Sequence, residues 1–531
     1  MKKIIGLVVI LAVLVLGGYY GVGLLAERTI KQNVEVINQT NGLFVDIDHY
    51  KRGWYSSVAV LNWRIHIPEG LSKNKDGQTI TTPAQDYSVQ MPLKISHGPL
   101  IFTDSGLKFG LGYAHSDVVL PSIYAEKFSE LFTNESTKPT LSFNLFVNYM
   151  NKSQFHIGLP TFKLVTREGG DQFEWYGMDS HIIVSSNLKD IEGGFVIDGM
   201  SFTKNKLKAT LAKLATNYDF HQNSEGLYLG TASLSLPSFV MTEDGQNVFS
   251  LQQFAVSSHS DTEGGLFNTQ FQTSLSKFRT YNKTYGPAVF EMSIKNLDAQ
   301  VLSEINAQVN KVQQGTGSER QQALFAILPE LPKLFGKGAQ FEISKLNLAG
   351  PEGAIDGTLL VSLPKGDTGN PFQLLQKVTG HGVLKIPAVM LKGLVAASVK
   401  QRLISQQTVQ TDMNPQLKDN DSSKMQAQDQ AALAEAQAAQ AQAQAGQAQA
   451  PASTETQGNQ AQVATSQEQT KPMSIAEIGQ EAVVQADQKV SNMLQVGLLT
   501  LKGSEYMIEV DLAQGQLSVN GKPFTPAMMQ F

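Results

Sequence analysis

The sequence predicts an α+β protein, predominantly antiparallel β-sheet with a few flanking helices, that follows one N-terminal transmembrane helix. Three observations lead to this prediction: an uncharged apolar run near the N-terminus, many stretches in which apolar residues occupy every second position, and helical periodicity in only a few isolated segments. Runs of strands with isolated helices favour an α+β arrangement over regular alternation of strands and helices.

The composition argues against several functional classes. The chain has 531 residues, of which 41% are hydrophobic and 17% are charged, so it can bury a core but is lightly charged. Its formal net charge of −5 removes the electrostatic argument for nucleic-acid binding. Because the chain has no cysteine, disulfides, thiolate nucleophiles and cysteine-ligated metals are excluded.

A membrane anchor is predicted at residues 4–26, a run without a charged side chain that follows a cytoplasmic stub of residues 1–3. As a helix this run would span about 34 Å, and the bilayer core is about 30 Å thick. Lys2 and Lys3 favour a cytoplasmic N-terminus with the remainder translocated. The alternative is a signal peptide cleaved near the small residues at 21–23. The helical pattern that continues beyond the run favours the uncleaved anchor.

A β-rich periplasmic body is predicted at residues 27–410. The clearest alternation is at 59–67, where every odd position is apolar, and similar patterns occur at 141–149, 290–295 and 355–363. Period two is typical of antiparallel strands with one buried face and one wet face. Turns are predicted at 192–194, 243–247, 263–265 and 349–353.

Helices are predicted to be the minority. Apolar residues at helical spacing mark segments near 124–131, 301–309, 388–405 and 474–499. Asp298 is the predicted N-cap of the second segment.

Residues 411–472 are predicted to be a low-complexity Ala/Gln linker. This stretch has no aromatic residue and cannot bury enough apolar area to offset chain entropy. The alternative, a partner-binding coiled coil, lacks a hydrophobic a/d heptad. Residues 473–531 are predicted to complete the body with a helix and a β-hairpin, and Asn520 and Gly521 are predicted to form the next turn after the hairpin.

The sequence contains no motif that indicates catalysis or cofactor binding. HExxH, GxSxG and GxxxxGK[ST] are all absent. The nine histidines are scattered, with no pair at ligand spacing. We therefore assign no catalytic, cofactor-binding or metal-ligating residue and expect a non-enzymatic protein.

Six segments together resemble one known family: DHYKRGWYSS, KISHGPLIF and FEWYGMDS in the first half, and residues 285–302, 341–364 and 490–523 in the second. The series is similar to the YdgA-like family of Gram-negative proteins of unknown function. The resemblance implies a single-pass inner-membrane anchor and a periplasmic body, and it implies no catalytic residue. The motif positions, which we expect to be structural, are Arg52, Gly53, Trp54, Tyr55, His97, Gly98, Pro99, Trp175, Gly286, Pro287, Asn520 and Gly521.

The basic–aromatic cluster at 51–55 has two interpretations. In the structural one, Gly53 redirects the chain into a strand, the aromatic rings pack, and Arg52 caps or pairs nearby. In the functional one, Lys51, Arg52, Trp54 and Tyr55 lie at the periplasmic leaflet, where cations and aromatic rings suit lipid headgroups. The structural interpretation is favoured.

Three classes of function follow. The first is a non-enzymatic envelope protein that handles lipid or another apolar ligand on a sheet face, and the second is a structural or protein-interaction module. The third, a hydrolase with an unrecognised site, is disfavoured by the missing motifs. The expected partners are the inner membrane, through residues 4–26, and a lipid, another envelope protein or a second copy of the chain. The apolar strand faces either pack against each other as a sandwich or stay partly open as a groove.

Overall fold

The computed structural model describes residues 2–38, 43–67, 70–73, 79–82, 85–103, 106–119, 125–280, 283–314, 327–366, 376–413 and 474–525. Only the backbone is described for residues 2–16, 33, 36–37, 43, 65–67, 70–73, 79–82, 85–87, 125, 310–314, 407–413 and 475. The chain divides into two compact units. The first unit comprises Met1–Ser344 and Ser362–Leu375, and the second comprises Lys345–Val361 and Gln376–Phe531.

The helices in the described part are α1 Lys2–Asn38, α2 Ala125–Leu131, α3 Ala299–Gln314, α4 Leu331–Phe335, α5 Ala388–Met413 and α6 Ile475–Gln495. Asp298 caps α3 as predicted, because its Oδ1 accepts hydrogen bonds from the backbone N–H groups of Gln300 and Val301 at 3.1 Å each. Helix α6 begins with a capping box between Ser474 and Glu477.

The described strands up to the middle of the first unit are β1 Leu43–Arg52, β2 Ser56–Ile67, β3 Gly70–Lys73, β4 Thr79–Thr82, β5 Gln85–His97, β6 Leu100–Thr103, β7 Gly106–Phe109, β8 Gly112–Val119, β9 Thr140–Val147, β10 Ser153–Leu159, β11 Phe162–Val165, β12 Gln172–Trp175, β13 Met178–Val184, β14 Asp190–Ile197, β15 Met200–Lys204 and β16 Leu207–Leu211. The later strands are β17 Leu214–Gln222, β18 Tyr228–Glu243, β19 Gln246–Glu263, β20 Leu266–Leu275, β21 Lys277–Thr280, β22 Lys283–Tyr285, β23 Ala288–Asp298, β24 Gln340–Gly350, β25 Gly353–Ser362, β26 Thr379–Pro387, β27 Thr500–Lys502, β28 Glu505–Ala513, β29 Gln516–Val519 and β30 Lys522–Pro523.

Two series of antiparallel strands build most of the first unit. One runs β1–β2–β5–β8–β9–β10–β13–β14–β17–β18–β19–β20–β23. The other runs β11–β12–β15–β16–β18–β19–β21–β22. Because β18 and β19 take part in both series of strands, the two series are two halves of one sheet. We call the series that begins with β1 the first half and the series that begins with β11 the second half. The prediction of a β-rich, mainly antiparallel protein with few helices is confirmed.

The two halves meet along a line of short breaks, which we call the bend line. It consists of Pro160–Thr161, Tyr176–Gly177, Asp198–Gly199, Ala212–Lys213, Ser276 and Gly286–Pro287. Backbone hydrogen bonds continue across the line, for example from Tyr176 N–H to the Gly199 carbonyl at 3.0 Å. Each segment before and after the line is therefore one long strand that changes direction.

Hydrophobic clusters pack five of the described helices, α1 and α3 to α6, against the strands. Helix α1 packs through Ile30 and Val34 on a buried cluster from β1, β2, β5 and β8. Helices α3 and α4 pack near Leu297 at the end of β23. In the second unit, α5 and α6 pack on β28 around Val490 and Tyr506.

One predicted turn is wrong. Residues 192–194 lie inside strand β14, whereas turns do connect strands at 243–247, 263–265 and 349–353 as predicted. A Cβ on Gly193 would collide with the His181 carbonyl, and one on Gly194 with the Thr216 carbonyl. The two glycines therefore allow neighbouring strands to approach, which is the other common reason for glycine in a strand.

Within the part of the chain whose side chains are described, no helix has both the length and the apolar character needed to cross a membrane. The predicted anchor at 4–26 falls largely on residues whose side chains lie outside that part. The predicted linker at 411–472 lies outside the described residues from position 414 onward.

Candidate functional site

An uninterrupted row of apolar side chains crosses the second half of the sheet, and we call it the first apolar ladder. Its members, each directly opposite the next, are Phe162, Trp175, Met200, Leu211, Phe239, Leu251, Phe278 and Tyr285. Directly opposed residues in antiparallel strands project from the same face. Eight consecutive strands thus present an apolar side chain at the same level of one face.

Aromatic rings dominate this ladder. The Phe162 ring stacks on Trp175 with centroids 6.1 Å apart, and the Phe278 ring contacts Tyr285 at 5.9 Å. The next level on the same face adds Phe173, whose ring lies 5.9 Å from Phe162, and Phe249, whose ring lies 5.2 Å from Phe278. The face is therefore apolar over more than one level.

A second apolar ladder lies on the other side of the bend line. It contains the registered runs Leu159–Met178–Ile197–Leu214, Leu236–Phe254 and Leu275–Ala288. The residues of both ladders are half-buried, and none belongs to the fully buried core. None takes part in the hydrophobic clusters that include the described helices. Both ladders therefore keep apolar surface that the described part of the chain leaves uncovered.

The opposite face of β11, β12, β15 and β16 carries a polar row. Lys163, Glu174, Ser201 and Thr210 follow one another across β11, β12, β15 and β16. Lys163 Nζ lies 3.9 Å from Glu174 Oε1. This contrast between faces explains the alternation in the sequence, because every second residue of these strands is apolar.

A polar row also crosses the first half of the sheet. His115, Asn144, His156 and His181 lie directly opposite one another on β8, β9, β10 and β13. His115 Nε2 lies 3.2 Å from Asp117 Oδ2, and His156 Nε2 lies 3.2 Å from Asp179 Oδ2. Sequence spacing could not show this row, since its histidines come from separate strands.

A polar cavity of about 650 Å³ lies over β18, β19, β20, β23 and β24. Its charged members already pair within the protein: Lys295 Nζ lies 2.9 Å from Glu342 Oε2, and Ser344 Oγ donates a hydrogen bond of 3.4 Å to Glu291. These contacts account for its charges without a ligand.

The motif residues at 52–55 dock helix α1 on the sheet. Arg52 Nη1 donates to Glu27 Oε2 at 2.9 Å, and its guanidinium lies 5.1 Å from the centroid of the Tyr20 ring. Trp54 lies against Tyr20 with centroids 5.6 Å apart. Lys31, followed by Arg52, holds the pKa of Glu27 below its usual value. The pairing of Arg52 agrees with the structural interpretation, but Trp54 and Tyr55 remain 57% and 62% exposed.

His97 forms the buried centre of this docking region. It is 1% exposed, and its Nε2 lies 2.9 Å from Ser57 Oγ. Gly23 of α1 passes so closely that a Cβ there would lie 2.9 Å from His97 Cε1. Burial, followed by the charge of Arg52, lowers the pKa of His97.

The remaining motif positions lie at strand ends. The Gly98–Pro99 bond is cis, and Gly98 N–H donates to the Leu111 carbonyl at 3.0 Å. Trp175 ends β12 on the first apolar ladder, while Gly286 and Pro287 belong to the bend line. Asn520 and Gly521 form the turn between β29 and β30, as predicted. The motif positions are thus distributed over the chain and do not converge on one site.

In the second unit, strand pairing brings together three groups that could ligate a cation. One ligand atom each from His381, Glu509 and Asp511 lies within 4.8 Å of the others. His381 Nδ1 lies 2.8 Å from Asp511 Oδ1, and this hydrogen bond is the main cause that raises the pKa of His381. The His–Asp pair accounts for this geometry without an ion. The acids at alternate positions were visible in the sequence, but their partner on β26 was not.

Comparison with known proteins identifies a family. The family model described as a bacterial protein of unknown function, DUF945, matches residues 1–470. No curated protein and no solved structure shows significant similarity to the chain.

Proposed function

Because the chain belongs to the DUF945 family of bacterial proteins of unknown function, we propose a function from its own geometry: it is a non-enzymatic, membrane-anchored envelope protein that holds acyl chains on the apolar ladders of its sheet. The first apolar ladder carries this proposal. Large contiguous apolar surface is costly to expose to water and typically marks an interaction site.

The shape and chemistry of the ladders suit an acyl chain. Neighbouring strands lie about 4.8 Å apart, so eight registered side chains form a band about 34 Å long. A band of that length and polarity matches an extended hydrocarbon chain, which gains about 0.8 kcal/mol for each buried CH₂ group. No charged residue interrupts the row from Phe162 to Tyr285.

The location in this proposal rests on sequence. The uncharged run at 4–26 and the lysines before it fit an inner-membrane anchor with a periplasmic body. The resemblance to YdgA-like envelope proteins supports the same location. A reporter that is active only in the cytoplasm, fused after Phe531, should therefore be silent, and strong activity would contradict this topology.

The ligand is tested with a diazirine-bearing fatty acid added to the purified full-length protein. After illumination, mass spectrometry of peptides should place the crosslinks on strands β12, β15, β16 and β18. Leu211→Glu places a charge in the ladder and should reduce crosslinking several-fold. Thr210→Glu, on the opposite face of the same strand, is the matched control and should leave it unchanged.

Circular dichroism melting of both variants checks that they fold. The acyl-chain proposal fails if the wild-type protein shows no crosslinks. It also fails if the crosslinking yield decreases equally in Leu211→Glu and Thr210→Glu. The structural or protein-interaction module would then take its place. Organic extraction of the wild-type protein after gentle purification should independently recover lipid.

A further inference from the structure

The hairpin formed by β6 and β7 has an unusual distribution of side chains. Leu100 pairs with Phe109 and Phe102 pairs with Leu107, so these four residues share one face. All four are exposed, Phe102 to 78% and Phe109 to 61%. We call this surface the hairpin face.

The reverse side of the hairpin is attached to the body. Ile101, which projects from the other face, is 1% exposed and belongs to the buried core. Tyr149 Oη donates to the Pro99 carbonyl at 2.5 Å, just before β6 begins. The hairpin is therefore held in place while its apolar side is turned outward, the opposite of what folding in water favours.

A hydrogen bond fixes the hairpin face beside helix α1. Tyr19 Oη donates to the Leu100 carbonyl at 2.7 Å, and the Tyr19 ring contacts Tyr55 edge-on at 5.7 Å. Tyr19 lies near the end of the uncharged run at 4–26. The hairpin and Tyr55 therefore contact α1 at Tyr19, and Trp54 contacts it at Tyr20, within the last third of the predicted anchor.

The charges around this surface complete the pattern. Lys51, which precedes the aromatic residues in the chain, is exposed. Lys108 lies directly opposite Ile101 on the reverse side of the hairpin, with Nζ 5.1 Å from the centroid of the Tyr113 ring. Glu27, the acid of α1 in this region, is paired with Lys31 and Arg52. Exposed apolar and aromatic side chains with a nearby lysine are the combination found at the boundary between headgroups and acyl chains.

We propose that the hairpin face, together with Trp54 and Tyr55, inserts into the headgroup region of the bilayer and holds the first unit against the membrane surface. Continuity with the predicted anchor selects a lipid surface over a protein partner. The inference uses that anchor, which belongs to the proposed function, only to orient the hairpin. Insertion would give the first unit a second contact with the bilayer besides the predicted anchor.

The absence of cysteine allows a direct test with single spin labels. Full-length protein carrying Phe102→Cys or Leu107→Cys is reconstituted in vesicles of phosphatidylethanolamine and phosphatidylglycerol. Electron paramagnetic resonance then measures collisions with oxygen, which partitions into lipid, and with a water-soluble nickel chelate. Leu188→Cys is the matched control, because Leu188 is also an exposed apolar residue, in the turn between β13 and β14.

We expect both hairpin labels to collide several-fold less with the nickel chelate than the Leu188→Cys label, and more with oxygen. Nickel accessibility equal to that of the control overturns the inference. The inference is also overturned if the hairpin labels are shielded from both oxygen and the nickel chelate and this shielding disappears when the protein is diluted in lipid. That result would indicate contact between protein molecules.

A label at Ala12→Cys separates this inference from the anchor. If the label at position 12 is exposed to lipid while the hairpin labels are exposed to water, the anchor is supported and the hairpin contact is contradicted. If the labels at all three positions are exposed to water, both the anchor and the hairpin contact are contradicted. Lipid exposure at the hairpin labels supports the inference whichever environment is found at position 12.

Discussion

Arg52 and Glu27 form an ion pair, with 2.9 Å between Nη1 and Oε2, that joins the end of strand β1 to helix α1. Both side chains are largely shielded from solvent. Together with the contact between His97 and Gly23, this pair holds the end of the predicted anchor and the following turn of α1 against the body.

Breaking the ion pair should weaken helix docking modestly. We expect Arg52→Gln and Glu27→Gln each to lower the melting midpoint, with a coupling free energy of about 0.5–1 kcal/mol in a double-mutant cycle. Thermal unfolding of the four proteins in one detergent measures it. Strictly additive effects would show that the pair contributes nothing to docking.

The close approach of Gly23 to His97 makes this glycine hard to replace. We expect Gly23→Ala to destabilise the protein by about 1 kcal/mol or more, because the new Cβ would overlap a buried ring. Gly21→Ala is the control, since a Cβ there meets no atom within 4 Å. The two melting midpoints decide the question, and equal midpoints would mean that α1 shifts freely.

His97 should make stability depend on pH. Its pKa is lowered in the folded protein, so between the folded and unfolded pKa values the unfolded chain binds more protons. The protein should therefore lose stability as the pH falls below about 6.5. His97→Gln should be less stable near neutral pH but should show a smaller decrease on acidification. Melting curves across this range test it, and an unchanged slope in the variant would contradict the assignment.

His381 should titrate above its usual pKa because its hydrogen bond with Asp511 favours the protonated ring. A group of this kind stabilises the fold below its unfolded pKa, and the contribution is lost as the pH rises through the folded pKa. Asp511→Asn should return the pKa toward the usual value. Nuclear magnetic resonance of labelled histidine rings, with His381→Gln for assignment, measures the shift.

Deleting residues 425–465 should leave the melting midpoint nearly unchanged. Shortening the connection between α5 and α6 about threefold changes its closure entropy by only about 1 kcal/mol, in the stabilising direction. Calorimetry of the deletion variant checks this. A much lower midpoint would show that the Ala/Gln segment packs on the protein.

The sequence by itself determined the class of fold. Alternation at 59–67 and 141–149 corresponds to strands β2 and β9, and Asp298 caps α3 where it was predicted. Such local signals survive because side chains alternate across a strand, and caps satisfy the free N–H groups of a helix, whatever the tertiary context. The glycines at 193 and 194 do not mark a turn. They are needed because carbonyl groups of the neighbouring strands approach them closely, and the local sequence does not show those strands.

Only the tertiary structure decided what the alternating faces form. That Phe162, Leu211 and Tyr285 lie on one continuous band depends on the register of eight strands, and register is set by pairing between segments distant in sequence. The same holds for Arg52 with Glu27 and for His381 with Asp511, which are joined by folding alone. Periodicity shows that a strand has an apolar face, whereas long-range pairing determines which other faces it joins.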